Sequence, residues 1–303
     1  MSKIKPLIVS LRPYQWIKNL AIYSAILFTG QLFNENYFLI TTIGFIILCL
    51  LSSASYLLND IIDAPYDRLH PIKKNRPIAS KELPINTAFQ ISTGLFIFSL
   101  AAAFLISLDF FWICLIFVLL HLAYSLFLKK HPPLDILAIA TSFVLRTFAG
   151  EFLTGFHIPI WLVFSVIFLS LFIASGKRRS ELLKEGKKTR PSLKRYRQEL
   201  LNSYLSIFGT ATLISYALFT FTASPPEFSD KLFQFLLTNY PKTLDRKWLM
   251  ISVPFVVTGL MRYTQLVFLA QDGEAPEKTV KDPYLILILL GWGVTIFGII
   301  YVF

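Results

Sequence analysis

Apolar runs of about twenty residues recur along this chain from end to end, and no other feature limits its fold so tightly. A helix of about 20 apolar residues, rising 1.5 Å per residue, crosses the ~30 Å hydrocarbon core of a bilayer. It also satisfies its own backbone N–H and C=O groups, which lipid cannot do. Hydrophobic residues make up 55% of the 303, and the mean hydropathy is +0.60. A soluble domain of this size has no use for so much apolar surface. Nine spans are expected, at residues 18–33, 38–58, 85–107, 110–128, 134–154, 158–175, 203–223, 248–270 and 284–303. The first is interrupted by Gly30. The expected class is all-α integral membrane protein, one polytopic domain over residues 1–303. No cleavable signal is expected, since the first apolar run follows Arg12 and Lys18 without a small-residue cleavage site. Cys49 and Cys114 fall inside spans and read as small buried hydrophobes.

The formal charge of +11 would suggest nucleic acid in a soluble protein. Here its placement argues otherwise. Most of the 29 basic residues lie in one alternating set of segments: the N-terminus, the loop after span two, Lys129 and Lys130, the long loop after span six, and Lys278 with Lys281. Lys231, Lys242, Arg246 and Lys247 face the other way. The positive-inside bias then puts the N-terminus in the cytoplasm and the C-terminus outside, in the cell's inner (plasma) membrane. No nucleic-acid partner is expected. Residues 59–84, 129–133, 176–202 and 271–282 become cytoplasmic cap loops. On the external side "KLFQFLL" reads as a short helix lying on the membrane surface.

The stretch "YLLNDIIDAPYDRLHPIKKNRPIAS", from Tyr56, carries an acidic and a basic cluster together. Asn59, Asp60, Asp63 and Asp67 form N-D-x-x-D-x-x-x-D. On a helix the three aspartates share one face. Like charges so close call for a cation among them, and oxygen-only donors suit Mg²⁺. Pro65 is expected to disturb the helix between the second and third aspartate. Arg68, Lys73 and Arg76 follow, with Arg the better phosphate grip; His70 reads as a loop residue. A substrate with a diphosphate at one end satisfies both clusters.

Several segments resemble the UbiA superfamily of intramembrane prenyltransferases: "LRPYQWIKNL" from Leu11, the acidic stretch from Asn59, "YSLFLKKHPPLDILAIATSFVLRTFAG" from Tyr124, "GKRRSEL" from Gly176 and "RYTQLVFLAQDGEAPEKTVKD" from Arg262. The first and fourth are more similar to one branch, the decaprenyl-phosphate phosphoribosyltransferases. The resemblance implies nine helices around a central cavity, Mg²⁺ dependence, and transfer of 5-phosphoribosyl from phosphoribosyl diphosphate (PRPP) to a polyprenyl phosphate. Where aromatic prenyltransferases of the superfamily carry a second aspartate-rich motif, this chain has Lys129, Lys130 and the single carboxylate of Asp135.

On that reading Asp60, Asp63 and Asp67 hold the metal and are catalytic. Asn59, Arg68, Lys73, Arg76, Tyr124, Lys129 and Lys130 line the donor site. Asp135 either holds a second Mg²⁺, binds a ribose hydroxyl, or is simply an acid at a helix N-terminus. Lys177, Arg178 and Arg179 either bind phosphate or form a solvated basic run. Arg12, Gln15, Lys18 and Asn19 meet the acceptor's phosphate, and Trp16 anchors at the interface. Arg146, about 16 Å along the same helix face from Asp135, lines the cavity and touches either substrate or a neighbouring helix. A homo-oligomer is compatible with all of this. Two other functions stay open: a prenyl transfer from prenyl diphosphate to an aromatic acceptor, and transport of a phosphorylated metabolite.

Overall fold

A computed structural model describes residues 4–70, 72–185, 195–223, 230–269 and 282–302. The described residues are helices, turns and loops, with no strand among them. They form two compact units, Met1–Ile158 and Pro159–Phe303.

The first unit begins with α1 (Ile4–Leu11), a 3₁₀ segment (Pro13–Tyr23) and α2 (Ser24–Phe28). Then come α3 (Glu35–Asp67), α4 (Ile85–Ile106), α5 (Leu108–Leu126) and α6 (Leu134–Thr154). Local chemistry sets the boundaries. The Asn34 side chain accepts from the Tyr37 N–H at the start of α3, and Ser107 does the same for Phe110 at the start of α5. Gly155, at φ 77°, takes the left-handed conformation that ends α6. Pro65 does not break α3: it sits near the C-terminus and the helix runs on to Asp67.

Length explains where the acidic motif lies. The 33 residues of α3 extend about 50 Å, well beyond a ~30 Å hydrocarbon core. Its last three turns, which hold all three aspartates, therefore project past the apolar slab. The core of this unit packs Leu48 and Leu51 of α3 against Phe110 and Phe117 of α5 and Ala149 of α6. A second cluster joins Leu57 and Ala64 to Ile78, Leu83 and Ala88. That cluster seats the loop after Arg76 against α3 and α4.

In the second unit α7 (Ile160–Glu185), α8 (Gln198–Thr222), α9 (Asp230–Asn239), α10 (Val253–Leu269) and α11 (Pro283–Phe297) follow in order. Phe172, Leu205, Tyr263 and Val267 form its core. The Tyr263 hydroxyl donates to the Ile173 carbonyl at 3.0 Å, across the face left open by Gly176, where a Cβ would fall 2.6 Å from that hydroxyl. Trp292 donates to the Tyr216 hydroxyl at 2.7 Å, and Tyr216 meets the Ser252 hydroxyl at 2.7 Å. The short α9 covers Lys231–Leu237, the stretch expected to form a short helix.

Eight described helices are long and apolar enough to cross a membrane. They keep large apolar side chains on the outside, such as Ile97, Leu105, Leu287 and Val294, which lipid would cover. The first expected span departs from a plain α-helix. Residues 18–33 fold as the end of the 3₁₀ segment, the five-residue α2 and a turn at Gly30. A 3₁₀ helix rises about 2.0 Å per residue, so Pro13 to Phe28 still extends about 30 Å. Gly150 permits this form: a Cβ there would lie 1.9 Å from the Ile22 carbonyl oxygen. The backbone of the 3₁₀ segment thus lies directly against α6.

Candidate active site

The site is built on the last turns of α3. Asp60 and Asp67 are buried, each about one turn from half-buried Asp63. Each carboxylate meets a cation delivered by a different part of the first unit. Arg12 donates from Nη2 to both oxygens of Asp60, at 2.6 and 2.9 Å. Arg76 donates from Nη1 to Asp60 at 3.1 Å and to Asp67 at 2.7 Å. Lys129, from the turn between α5 and α6, reaches Asp63 at 2.6 Å and Asn59 Oδ1 at 3.3 Å. Asn59 also donates to Asp63 at 3.0 Å.

Arg12 owes its position to the backbone. At φ 52° and ψ 58° it is left-handed, a conformation costing a non-glycine residue about 1–2 kcal/mol. The chain turns there from α1 into the 3₁₀ segment, and the guanidinium swings over Asp60 and the ring of Tyr56, 5.1 Å from its centroid. The Ser53 hydroxyl fixes this corner by donating to the Leu11 carbonyl at 2.9 Å while accepting from Trp16 Nε1 at 3.0 Å. Trp16 is thereby tied to α3. Burial works against the Arg12 charge, but the touching Asp60 carboxylate, helped by Tyr14 and Tyr56, outweighs it and raises the guanidinium above its ordinary value.

The other expected residues divide. Arg68 turns away, its Nε donating to the Ala79 carbonyl at 3.2 Å. His70 folds the loop as Nδ1 accepts from the Ile72 and Lys73 N–H groups, both at 3.2 Å. Its Nδ1 is thus an acceptor already in use. Lys73, Lys18 and Tyr124 are half-buried, and Lys130 is exposed. Asp135 is fully buried at the start of α6, where Oδ1 accepts from the Ile136 N–H at 3.0 Å.

Arg146 belongs to a separate polar cluster deeper in the unit. It is buried, donating from Nε to Asn19 Oδ1 at 2.7 Å and from Nη1 to the Ser142 carbonyl at 2.6 Å and to the Ser142 hydroxyl. Its guanidinium also lies over the rings of Phe117 and Phe143, 4.8 and 5.4 Å from the centroids. Asn19 in turn donates to Cys49 Sγ at 3.2 Å. Arg146 and Asn19 thus clamp the 3₁₀ segment to α6, which favours the neighbouring-helix alternative for Arg146.

Lys177, Arg178 and Arg179 lie in the second unit. The structure does not show a solvated basic run there. Arg178 is fully buried and pairs with Glu181 at 2.5 Å. Arg179 donates to Asn202 at 2.7 Å and caps the end of α10 at the Val267 carbonyl, 2.8 Å away, with Phe268 beneath it. Lys177 is half-buried. Of the expected cap loops, residues 186–194 and 271–281 lie outside the described residues.

The donor set fits a hard divalent ion: three carboxylates and an amide oxygen on one helix end, with His70 already committed elsewhere. Among the described residues no three acidic, His or Cys side chains converge on a single point as they stand, and Arg12, Arg76 and Lys129 pair with the three carboxylates. The residue that sequence reasoning left out of the acidic site is Arg12. Its signal was present in the basic, Pro- and Trp-bearing stretch before span one, but that stretch was read as a phosphate contact for the acceptor.

A model of the UbiA prenyltransferase family matches residues 20–280. A decaprenyl-phosphate phosphoribosyltransferase of Corynebacterium glutamicum is 33% identical, over 98% of this chain and 87% of the relative. Another, of Mycolicibacterium smegmatis, is 30% identical over 98% and 93%. Among solved structures, a UbiA homologue from Archaeoglobus fulgidus bound to DMAPP and Mg²⁺ superimposes with a TM-score of 0.70 at 20% identity, covering 98% and 99% of the two chains. The chain belongs to the UbiA prenyltransferase family.

Proposed function

We propose that the chain transfers the 5-phosphoribosyl group from PRPP to a polyprenyl phosphate and releases diphosphate. The observation that carries this reading is the matched set of three carboxylates and three cations at the end of α3. Similarity to the decaprenyl-phosphate phosphoribosyltransferases of C. glutamicum and M. smegmatis supports the choice of donor and acceptor.

Asp60, Asp63 and Asp67, with Asn59, are the residues that would hold Mg²⁺. The ion, when bound, would neutralise charge on the leaving diphosphate. Arg12, Arg76 and Lys129 bind phosphate oxygens and orient the donor, a task for which the planar guanidinium fork is suited. The bond from ribose C1 to the diphosphate oxygen breaks with its electron pair leaving on diphosphate. A bond from C1 to an acceptor phosphate oxygen forms on the opposite face, inverting the anomeric carbon. No general base is needed, since a phosphate monoester with a second pKa of about 6 is largely ionised at neutral pH. Positioning and charge stabilisation are what the side chains supply. Tyr124, Lys130 and Asp135, close in sequence to Lys129, complete the donor pocket, and Lys18 serves the acceptor.

The distribution of basic segments supports an inner-membrane orientation with the N-terminus and α3's acidic end in the cytoplasm and the C-terminus outside. The test is a donor competition. Purified protein with Mg²⁺ and a short-chain polyprenyl phosphate is given PRPP, and in parallel a prenyl diphosphate with an aromatic acceptor. Product only in the first vessel supports the proposal. Product only in the second assigns the site to prenyl transfer. Uptake into vesicles without consumption of either donor would point to transport.

A further inference from the structure

The pairing at the end of α3 is stoichiometric in charge: Asp60, Asp63 and Asp67 against Arg12, Arg76 and Lys129. These groups are mostly withdrawn from water, so their interactions are screened little by salt. We infer that Arg12, Arg76 and Lys129 act as internal stand-ins for the metal, so that the metal and a diphosphate can enter only together. The inference rests on the metal and diphosphate site proposed above and deepens it.

A divalent cation arriving alone must displace Arg12 from both oxygens of Asp60 and Lys129 from Asp63. It would leave those cations beside it with no counter-charge. A diphosphate arriving alone could reach the three cations only by facing the three carboxylates. When both arrive, the carboxylates pass to the metal and the guanidinium and ammonium groups pass to phosphate oxygens. Charge stays nearly balanced and no buried group loses its partner. By linkage each ligand then raises the affinity of the other by the same factor. An enzyme so arranged does not gather metal at a vacant acidic site, and its leaving group carries the metal's half of the exchange away with it. Arg12 is the main brake, since it covers both oxygens of Asp60 and is held there by the corner at Leu11 and Ser53.

The experiment is a Mn²⁺ titration of purified full-length protein, followed by electron paramagnetic resonance, with and without inorganic diphosphate; protein-free Mn²⁺–diphosphate mixtures correct for chelation. Wild type should bind Mn²⁺ weakly alone and about tenfold or more tightly with diphosphate. Arg12→Gln and Lys129→Met should each bind Mn²⁺ alone about tenfold more tightly than wild type, because the competing charge at contact distance is gone, and should gain less from diphosphate. Lys74→Gln, which removes an exposed charge from the loop that carries Arg76, should stay within twofold of wild type. Should Arg12→Gln not fold, Lys129→Met carries the test, since Lys129 lies outside the 3₁₀ segment. Folded variants that bind Mn²⁺ alone no better than wild type would overturn the inference, as would a wild type that binds Mn²⁺ equally well with and without diphosphate. Inorganic diphosphate is released from either candidate donor. The result therefore stands or falls apart from PRPP turnover.

Discussion

Arg146 Nε donates to Asn19 Oδ1 at 2.7 Å, joining residues 127 positions apart. No carboxylate is among the partners that the structure gives Arg146; Asn19, Ser142 and two aromatic rings surround the charge. The bond holds the 3₁₀ segment to α6, and the same segment carries Arg12 at its head. A clamp inside the membrane thus sets the position of a residue in the acidic site.

Asn19→Leu should destabilise the protein by about 2–3 kcal/mol, because it leaves a buried guanidinium N–H without its acceptor. Asn19→Asp places a carboxylate at the same point and should cost less than Asn19→Leu. Thermal unfolding in detergent ranks the three proteins. If Asn19→Asp were the less stable variant, Arg146 would not be acting as a charged clamp.

Gly150→Ala tests the close approach directly. The new Cβ would overlap the Ile22 carbonyl oxygen, which belongs to backbone and has little freedom to move. A loss of about 2 kcal/mol or more, seen as a lower melting temperature and poorer recovery as a single species, is expected. Gly94→Ala on α4, where nothing lies within 4 Å, should be neutral or stabilising by up to about 1 kcal/mol.

Much of this was legible in the sequence. The spacing of Asp60, Asp63 and Asp67 gave a common helix face without any tertiary information, and apolar length gave the spans. The pairing of Arg12 with Asp60 was not legible, since 48 residues separate them and a left-handed corner makes the meeting. Nor does apolar content distinguish a 3₁₀ from an α-helical first span; that depends on Gly150 letting two backbones touch. Arg178 and Arg179 read as either phosphate contacts or a solvated basic run because sequence shows charge but not burial. One local signal was there: Glu181 lies three residues after Arg178, on the same helix face. Arg68 and Arg76 looked alike, and only the fold of the 77–83 loop separates them.

Asp60→Asn should lower turnover about a hundredfold or more, given that it removes a metal-holding carboxylate and the partner of Arg12 at once. The variant should still fold, as Arg76 keeps its bond to Asp67. Steady-state rates at saturating Mg²⁺ decide the point, and a rate within threefold of wild type would remove Asp60 from the site.

Asp282 supplies a pH signature in the second unit. Its hydrogen bonds from Arg262, at 2.7 and 3.0 Å, hold the carboxyl below its usual range; partial burial opposes this, and the Leu285 N–H that it caps adds to it. A depressed folded-state value means that the stabilisation is present above the unfolded pKa of about 3.9 and is lost as pH falls through the folded value. Wild type should therefore exceed Asp282→Asn in melting temperature near pH 7, by a margin that stays level down to about pH 5 and shrinks below about pH 4. A margin independent of pH would contradict the ion pair.

The most direct measurement follows the ribose itself. Purified protein in detergent is given PRPP labelled in the ribose ring, Mg²⁺ and a polyprenyl phosphate, and the organic phase is counted after extraction. The account predicts label in the lipid fraction, equimolar with released diphosphate and absent when either the lipid phosphate or Mg²⁺ is left out. Label that stays in the aqueous phase, with all three components present and the protein folded, would contradict it.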